Sequence, residues 1–410
     1  MKNNLKKNFI LNSIGSTIYA FTSLFFLIIV TRINDINEAG IFTFAFSNAC
    51  LLQVIGTYSG RSFQVTETNK KITDNDYVYN RTFASIIMII IGILFGLIRG
   101  YDSFKLVVVV LLIVFKSLDA FTESLYGIIQ KNDRLYNVGI SLTIKGIIEV
   151  IVFLVVDLLT KNIILACTSI IVINLLVILL YDFRIVHKCN FKLKNINFNN
   201  VLTIYKIGFY TFVFTLLTQY LINAPKYSID TYLSNDIQTI YGIIAMPATF
   251  VILISNFFVQ PYLNDITNFV KKKEFKDLNK MIVKMVGILF GLFIILELCL
   301  YLLGPFAFNI LYGIDTSPYL KEILIIFAGA FFYGVTIIVS NVLIALRKTL
   351  SQTIIFAISS IAAFVLCDQL VLKTGIAGAA LSYFLSMFLL FVLYIIIYTY
   401  VIRKEMTKNG

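Results

Sequence analysis

Tryptophan is absent from this chain of 410 residues, histidine occurs once, and cysteine and proline five times each. Only 14% of the residues are charged, about half the share of an ordinary soluble domain. Each shortage excludes something. One histidine, His187, cannot build a histidine metal centre, and its neighbour Cys189 does not make one with it. It also leaves no intramembrane histidine for an acyltransferase. Of the cysteines, Cys50, Cys167, Cys299 and Cys367 lie in apolar runs and Cys189 in a basic one, so no disulfide framework is expected. No GxxxxGK[ST] run occurs, which excludes an ATPase of the P-loop type. No connection between hydrophobic runs approaches the roughly 50 residues of a soluble catalytic domain.

What remains is hydrophobic: 59% of residues, with mean hydropathy +0.88. A spanning helix needs about 20 apolar residues. Twelve candidates are present, at 9–31, 39–58, 82–99, 105–130, 138–158, 163–183, 203–225, 238–260, 282–304, 320–346, 350–371 and 376–402. The pattern predicts an all-α polytopic membrane protein. The basic start MKNNLKKNFILNSIG runs into the first span without a small-residue cleavage site, so it reads as a retained helix. The short hairpins 131–137 and 159–162 predict antiparallel neighbours.

The net charge of +12 is spread over short loops, which argues for membrane topology and against nucleic acid as a partner. With the N-terminus in the cytoplasm, 25 of the 34 Lys and Arg fall on the inner side. Seven fall outside (Arg32, Arg99, Lys105, Lys161, Lys226, Lys321, Lys373), and Lys116 and Lys145 lie within the membrane. This bias predicts that both termini are cytoplasmic.

The hexapeptide GILFGL occurs at Gly92–Leu97 in the third span and again at Gly287–Leu292 in the ninth. The repeat fits two six-helix halves of parallel topology: 1–183, a basic linker 184–202, and 203–410. Each copy holds GxxxG, which allows close helix approach. All five prolines lie in the second half, and Pro247, inside the eighth span, predicts a kink.

The fourth and fifth spans are unusual. Between Leu111 and Val156 they carry Lys116, Asp119, Glu123, Lys145 and Glu149, each costing about 3 kcal/mol in the membrane unless paired or hydrated. The first three share one helix face and the last two another. Counting inward at about 1.5 Å per residue puts Glu123 level with Lys145 and Asp119 level with Glu149. The expected pairs are Glu123 with Lys145, and Lys116 with Asp119 and Glu149. Three carboxylates then face two ammonium groups. The cluster is either a structural clasp or a site that binds H+ or Na+ and couples it to transport. Glu297 and Asp368 stand alone.

Polar stripes mark other spans. The first has Asn12, Ser16, Tyr19 and Ser23 on one side, and the seventh has Thr211, Thr215, Thr218, Gln219 and Asn223 leading to Lys226. The second adds Asn48, Gln53 and Thr57 and ends at Arg61. Equivalent spans of the two halves thus offer hydrophilic faces to the bundle interior. The candidate substrate-binding residues are Arg61, Lys226, Asn12, Ser16, Asn48, Gln53, Gln219 and Asn223.

Four stretches carry a family resemblance: NFILNSIGSTIYAFTSLFFLIIVTRI, AGIFTFAFSNACLLQVIGTYSGR, YGIIQKNDRLYNVGISLTIKGIIEVIVFLVV and APKYSIDTYLSNDIQTIYGIIAMPATF. The chain resembles the O-antigen/teichoic-acid-type (Wzx-like) polysaccharide flippases of the multidrug/oligosaccharidyl-lipid/polysaccharide exporter superfamily. Where that family often has an Asp-Arg pair, this chain has Pro225-Lys226, keeping the cation and losing the acid. The resemblance implies two six-helix bundles in a V, with the first, second, seventh and eighth spans lining a cavity. It implies an undecaprenyl-diphosphate-linked oligosaccharide as cargo, membrane lipids and polysaccharide polymerase machinery as partners, and no cofactor beyond H+ or Na+ coupling. Arg61 and Lys226 suit a diphosphate, and the amide and hydroxyl stripes suit sugar.

The expected function is flippase transport by alternating access at the bacterial cytoplasmic membrane, not catalysis. A cation-coupled multidrug exporter of the same fold is the nearest alternative. A membrane glycan polymerase or acyltransferase is the alternative from another class, disfavoured by the lack of a long outer loop and of an intramembrane histidine.

Overall fold

Apolar runs of this length have one stable form in lipid, the helix, because it satisfies every backbone N–H and C=O within the segment. The computed structural model describes residues 2–58, 60–67 and 71–407, with side chains from Lys7 onward. Lys2, Lys6, Lys70 and Lys408, counted in the charge bias, lie outside the described side chains. All regular structure among the described residues is helical. The first part comprises α1 (Lys2–Ile33), α2 (Ile36–Thr57), the short α3 (Gly60–Val65), α4 (Asp74–Ile98), α5 (Ser103–Lys131), α6 (Leu135–Thr160), α7 (Ile163–Val177) and α8 (Phe183–His187). A π-helical turn, Ile178–Asp182, joins α7 to α8. Then come α9 (Phe198–Tyr232), α10 (Asn235–Ile244), α11 (Met246–Val259), α12 (Leu263–Lys272), α13 (Phe275–Tyr312), α14 (Leu320–Ala345), α15 (Thr349–Thr374) and α16 (Ile376–Thr407).

Ten helical stretches are long and apolar enough to cross a membrane. With α5 and α6, of 29 and 26 residues, the membrane-length stretches among the described residues number twelve, at the predicted positions. Two run longer than expected. α9 continues through Pro225 to Tyr232, and α13 through Pro305 to Tyr312. A proline is tolerated inside a membrane helix because neighbouring groups re-satisfy the freed carbonyl. Pro247 behaves as predicted: the eighth span breaks at Ala245, and Pro247 starts the next helix, α11.

The chain divides into two compact units, Met1–Gln219 and Tyr220–Gly410. In the first unit α5 is the central helix and touches α2, α3, α4, α6, α7 and α8. The aromatic core Phe26, Phe42, Phe46, Phe115 and Phe153 fills the space among α1, α2, α5 and α6. α6 lies chiefly along α1 and α7. Its contact with α1 is backbone on backbone: a Cβ placed on Gly15 would lie 2.0 Å from the Gly139 carbonyl oxygen, and one on Gly139 would lie 2.1 Å from that of Leu11. The Asn8 amide ties the same pair of helices, donating to the Asp133 carbonyl (3.1 Å) and accepting from the Tyr136 N–H (2.9 Å).

The break between α2 and α3 is pinned by a buried cation. Arg81 Nη1 donates to the Tyr58 carbonyl at 2.7 Å and Nη2 to that of Gly60 at 3.1 Å. The Tyr58 hydroxyl in turn donates to the Tyr205 carbonyl at 2.7 Å, holding the start of α9 to the first unit. In the second unit α14 packs on α11, α12, α13 and α16, and α15 packs on α16. Gln352 Oε1 accepts from Ser340 (2.6 Å) and Tyr394 (3.0 Å) between α14, α15 and α16.

The two GILFGL copies differ in use. A Cβ on Gly92 or Gly96 would meet Ile113 or Leu106 within 2.5 Å, whereas one on Gly287 or Gly291 would meet no described atom within 4 Å. Gly139→Val should therefore cost at least about 3 kcal/mol by forcing backbones apart and depress the unfolding midpoint in detergent. Gly287→Ala, which meets open space and gains helix propensity, should leave the midpoint unchanged or raise it.

Candidate functional site

Hydroxyls, amides and charges that cannot face lipid must converge somewhere inside the bundle. In the first unit they converge on a cavity of about 220 Å3. α1 supplies Ser16 and Tyr19, α2 Gln53, α3 Arg61, α5 Asp119, Thr122, Glu123 and Tyr126, and α6 Lys145. The residues assigned from sequence to substrate (Ser16, Gln53, Arg61) and those assigned to ion coupling (Asp119, Glu123, Lys145) share this one cavity.

Asp119 is the best-satisfied group. Its Oδ2 accepts from Tyr19 (2.5 Å) and Lys116 (3.0 Å), and its Oδ1 from the Asn174 amide of α7 (2.9 Å). Three helices thus fix one carboxylate. The Lys116 ammonium also sits over the rings of Phe115, Phe46 and Tyr19 at 4.7, 5.1 and 5.3 Å, a contact that partly replaces lost water.

Two of the expected pairs are different. Glu123 pairs with Arg61, Nε to Oε2 at 3.6 Å, and not with Lys145. Lys145 lies 3.5 Å from Asp182 and donates to Thr122 at 3.3 Å. The depth count gives a level along each helix but could not place Glu123 and Lys145 around it. α6 packs along α1 and α7 and so turns Lys145 toward α7 and its π turn. Asp182 was missed because a carboxylate at the end of an apolar run normally faces water. Here the π turn Ile178–Asp182 keeps it inward and fully buried, and π turns of this kind often mark functional positions. Lys145, left over after any pairing of Glu123 elsewhere, was the one signal that could have led to it.

Arg61, Lys116 and Lys145 stand near Asp119, Glu123, Asp182 and Glu149, and the fully buried Arg81 adds a fourth cation that interacts with Glu123. Four cations thus stand against four carboxylates in this set. Glu149 is fully buried, and among the described residues neither of its oxygens meets a partner at hydrogen-bonding geometry, although Asn174 lies nearby. Arg61 Nη1 is likewise buried without one.

The other assigned residues are spread out. Asn48 is buried in α2 and Asn12 half-buried on α1; neither lines this cavity. Asn223 and Lys226 line a smaller cavity of about 80 Å3 in the second unit, with Tyr241, Thr249 and Tyr383; Gln219 does not. Asp368, unpartnered in the sequence reading, accepts a 2.6 Å hydrogen bond from Ser228.

No protein-family model matches the chain. A capsular polysaccharide biosynthesis protein, CapF of Staphylococcus aureus, is 24% identical over 96% of this chain and 98% of its own. Among solved structures, the lipid II flippase MurJ in an inward closed conformation superposes with a TM-score of 0.73 at 17% identity, covering 94% of this chain and 87% of that one. An inward-facing multidrug-resistance MATE transporter of the MOP superfamily gives 0.74 at 10% identity, covering 98% and 99%.

Removing one member of a buried ion pair strands the other and costs about 3–5 kcal/mol. Asp119→Asn should therefore lower the unfolding midpoint strongly, whereas Glu149→Gln, which breaks no ion pair, should leave it unchanged or raise it. Thermal unfolding of both variants in detergent checks this; equal losses would show that Glu149 is paired as Asp119 is. The chain is a multi-pass membrane protein with the same fold as the solved MurJ and MATE structures.

Proposed function

We propose that the chain is a flippase that moves a polyprenyl-diphosphate-linked oligosaccharide across the bacterial cytoplasmic membrane by alternating access, for assembly of a surface polysaccharide. The observation that carries this reading is the cavity of the first unit, where a cation with an unpartnered buried nitrogen, Arg61, stands among the sugar-compatible groups Ser16, Gln53, Thr122 and Tyr126. A guanidinium suits phosphate oxygens, and hydroxyls and amides suit a glycan. The capsule-biosynthesis relative supports this choice over a drug exporter. Lys226 in the second unit would supply a further cation. The inner bias of Lys and Arg supports cytoplasmic termini.

The carboxylates of the same cavity, Asp119 and Glu123, with the buried Glu149 that interacts with Asp119, supply the coupling. Release of Arg61 from Glu123 to a diphosphate would leave a second carboxylate without its cation. H+ or Na+ taken up from the cavity would restore balance, so cargo and ion bind the same charge set and each alters the affinity of the other.

Arg61→Ala and Lys226→Ala are each expected to accumulate lipid-linked glycan on the cytoplasmic face of cells with normal protein levels. Unchanged surface polysaccharide in both variants would overturn the diphosphate role. Drug hypersensitivity with normal glycan would instead favour the multidrug-exporter reading. In vesicles, Glu149→Gln should flatten the pH or Na+ dependence of lipid-linked glycan transport, and an unaltered dependence would remove Glu149 from the coupling.

A further inference from the structure

α5 has a second lined face. Asp119, Thr122, Glu123 and Tyr126 look into the polar cavity, while Phe121 and Leu125 form a wall of a separate apolar cavity of about 590 Å3. Its other walls come from α4 (Val78, Tyr79), α8 (Phe183, Val186) and the segment that follows, where Phe191 and Leu193 close it. That segment is strapped down. The Asn75 side chain clasps Lys194 from both sides, donating to its carbonyl at 3.1 Å and accepting from its N–H at 2.9 Å. The Tyr79 hydroxyl donates to the same carbonyl at 2.8 Å.

Phe191 and Leu193 line the cavity, Leu193 at its mouth and itself exposed, and Lys192 between them and Lys194 after them are exposed. Arg184, His187 and Lys188 are also exposed on the same stretch, and no acidic residue occurs from 183 to 197. The adjoining carboxylate, Asp182, is turned inward to Lys145. Those at the start of α4 are engaged: Asp74 with Lys131 at 2.8 Å, and Asp76 with Thr73 and Asn200. A greasy cavity walled by aromatic and aliphatic groups thus opens beneath an unneutralised basic rim.

We propose that this is a binding site for a resident anionic phospholipid, with an acyl chain in the apolar cavity and the phosphate on the cations of the strap. Its volume lies within the usual range of ligand pockets, about 300–1,000 Å3, and basic pockets at membrane helix ends are recognised by anionic headgroups. The occupant is a phospholipid and not the prenyl tail of a glycan-carrying lipid, because the sugar-compatible groups all lie on the opposite face of α5. The site does not depend on what the protein transports.

The test uses the full chain in phosphatidylcholine vesicles containing trace phosphatidylglycerol with a photoactivatable acyl chain. Cross-links should map to 121–125 and 183–193 and be competed by unlabelled phosphatidylglycerol but not by more phosphatidylcholine. Lys188→Gln, Lys192→Gln and Lys194→Gln, all at exposed positions, should each lower labelling about fivefold, equivalent to about 1 kcal/mol per cation. Leu193→Glu, which puts a carboxylate at the mouth, should abolish it. Labelling that ignores these substitutions, equal labelling by a phosphatidylcholine probe, or displacement by a polyprenyl diphosphate in preference to phosphatidylglycerol would each overturn the proposal.

Discussion

Eight charged side chains meet inside the first unit, Arg81 among them, and the packing around them answers to the need to pair them. An ion moved from water into a low-dielectric interior costs several kcal/mol even after relaxation. α5 carries three of the eight, and α1, α3, α4, α6 and α7 each contribute a charge or a polar partner to the same set. Asp119 alone is bonded from α1, α5 and α7. The Gly15–Gly139 contact belongs to the same requirement. It brings α1 close enough to α6 that Tyr19 can reach Asp119 while Lys145 turns toward the π turn.

This arrangement joins two roles that seemed separable along the chain. A cation suited to a diphosphate and carboxylates suited to an ion line one cavity of the first unit. Arg61 sits on α3, a short helix whose position is set by the Arg81 hydrogen bonds at the Tyr58–Gly60 break. A buried arginine with three acceptors thus places a less buried arginine with one partner.

The secondary structure was largely legible in the amino-acid order, because lipid leaves little choice: an apolar run of about 20 residues must be helical. The break at Pro247 followed from the ring that removes an N–H. The prolines that did not end helices, Pro225 and Pro305, show the limit of that rule, since neighbours can compensate for the lost hydrogen bond. Residue count times rise gives a level along a helix. Rotation about the bundle was not legible. That is why the Lys116–Asp119 pair, three residues apart on one helix, was found, and Glu123–Arg61 and Lys145–Asp182, each between helices, were not.

The sequence by itself determined that this is a membrane protein, where its helices run, and that α5 and α6 carry charges into the membrane interior. These follow from composition and periodicity, which are properties of the chain taken residue by residue. Only the tertiary structure decided which charges meet, that Ser16, Gln53 and Arg61 share a cavity with Asp119 and Lys145, and that Asp182 pairs with Lys145. Pairing depends on how each helix is turned about its axis. That turn is set by contacts between segments far apart in the chain, such as glycine on glycine between α1 and α6, and by one π turn that re-aims a carboxylate.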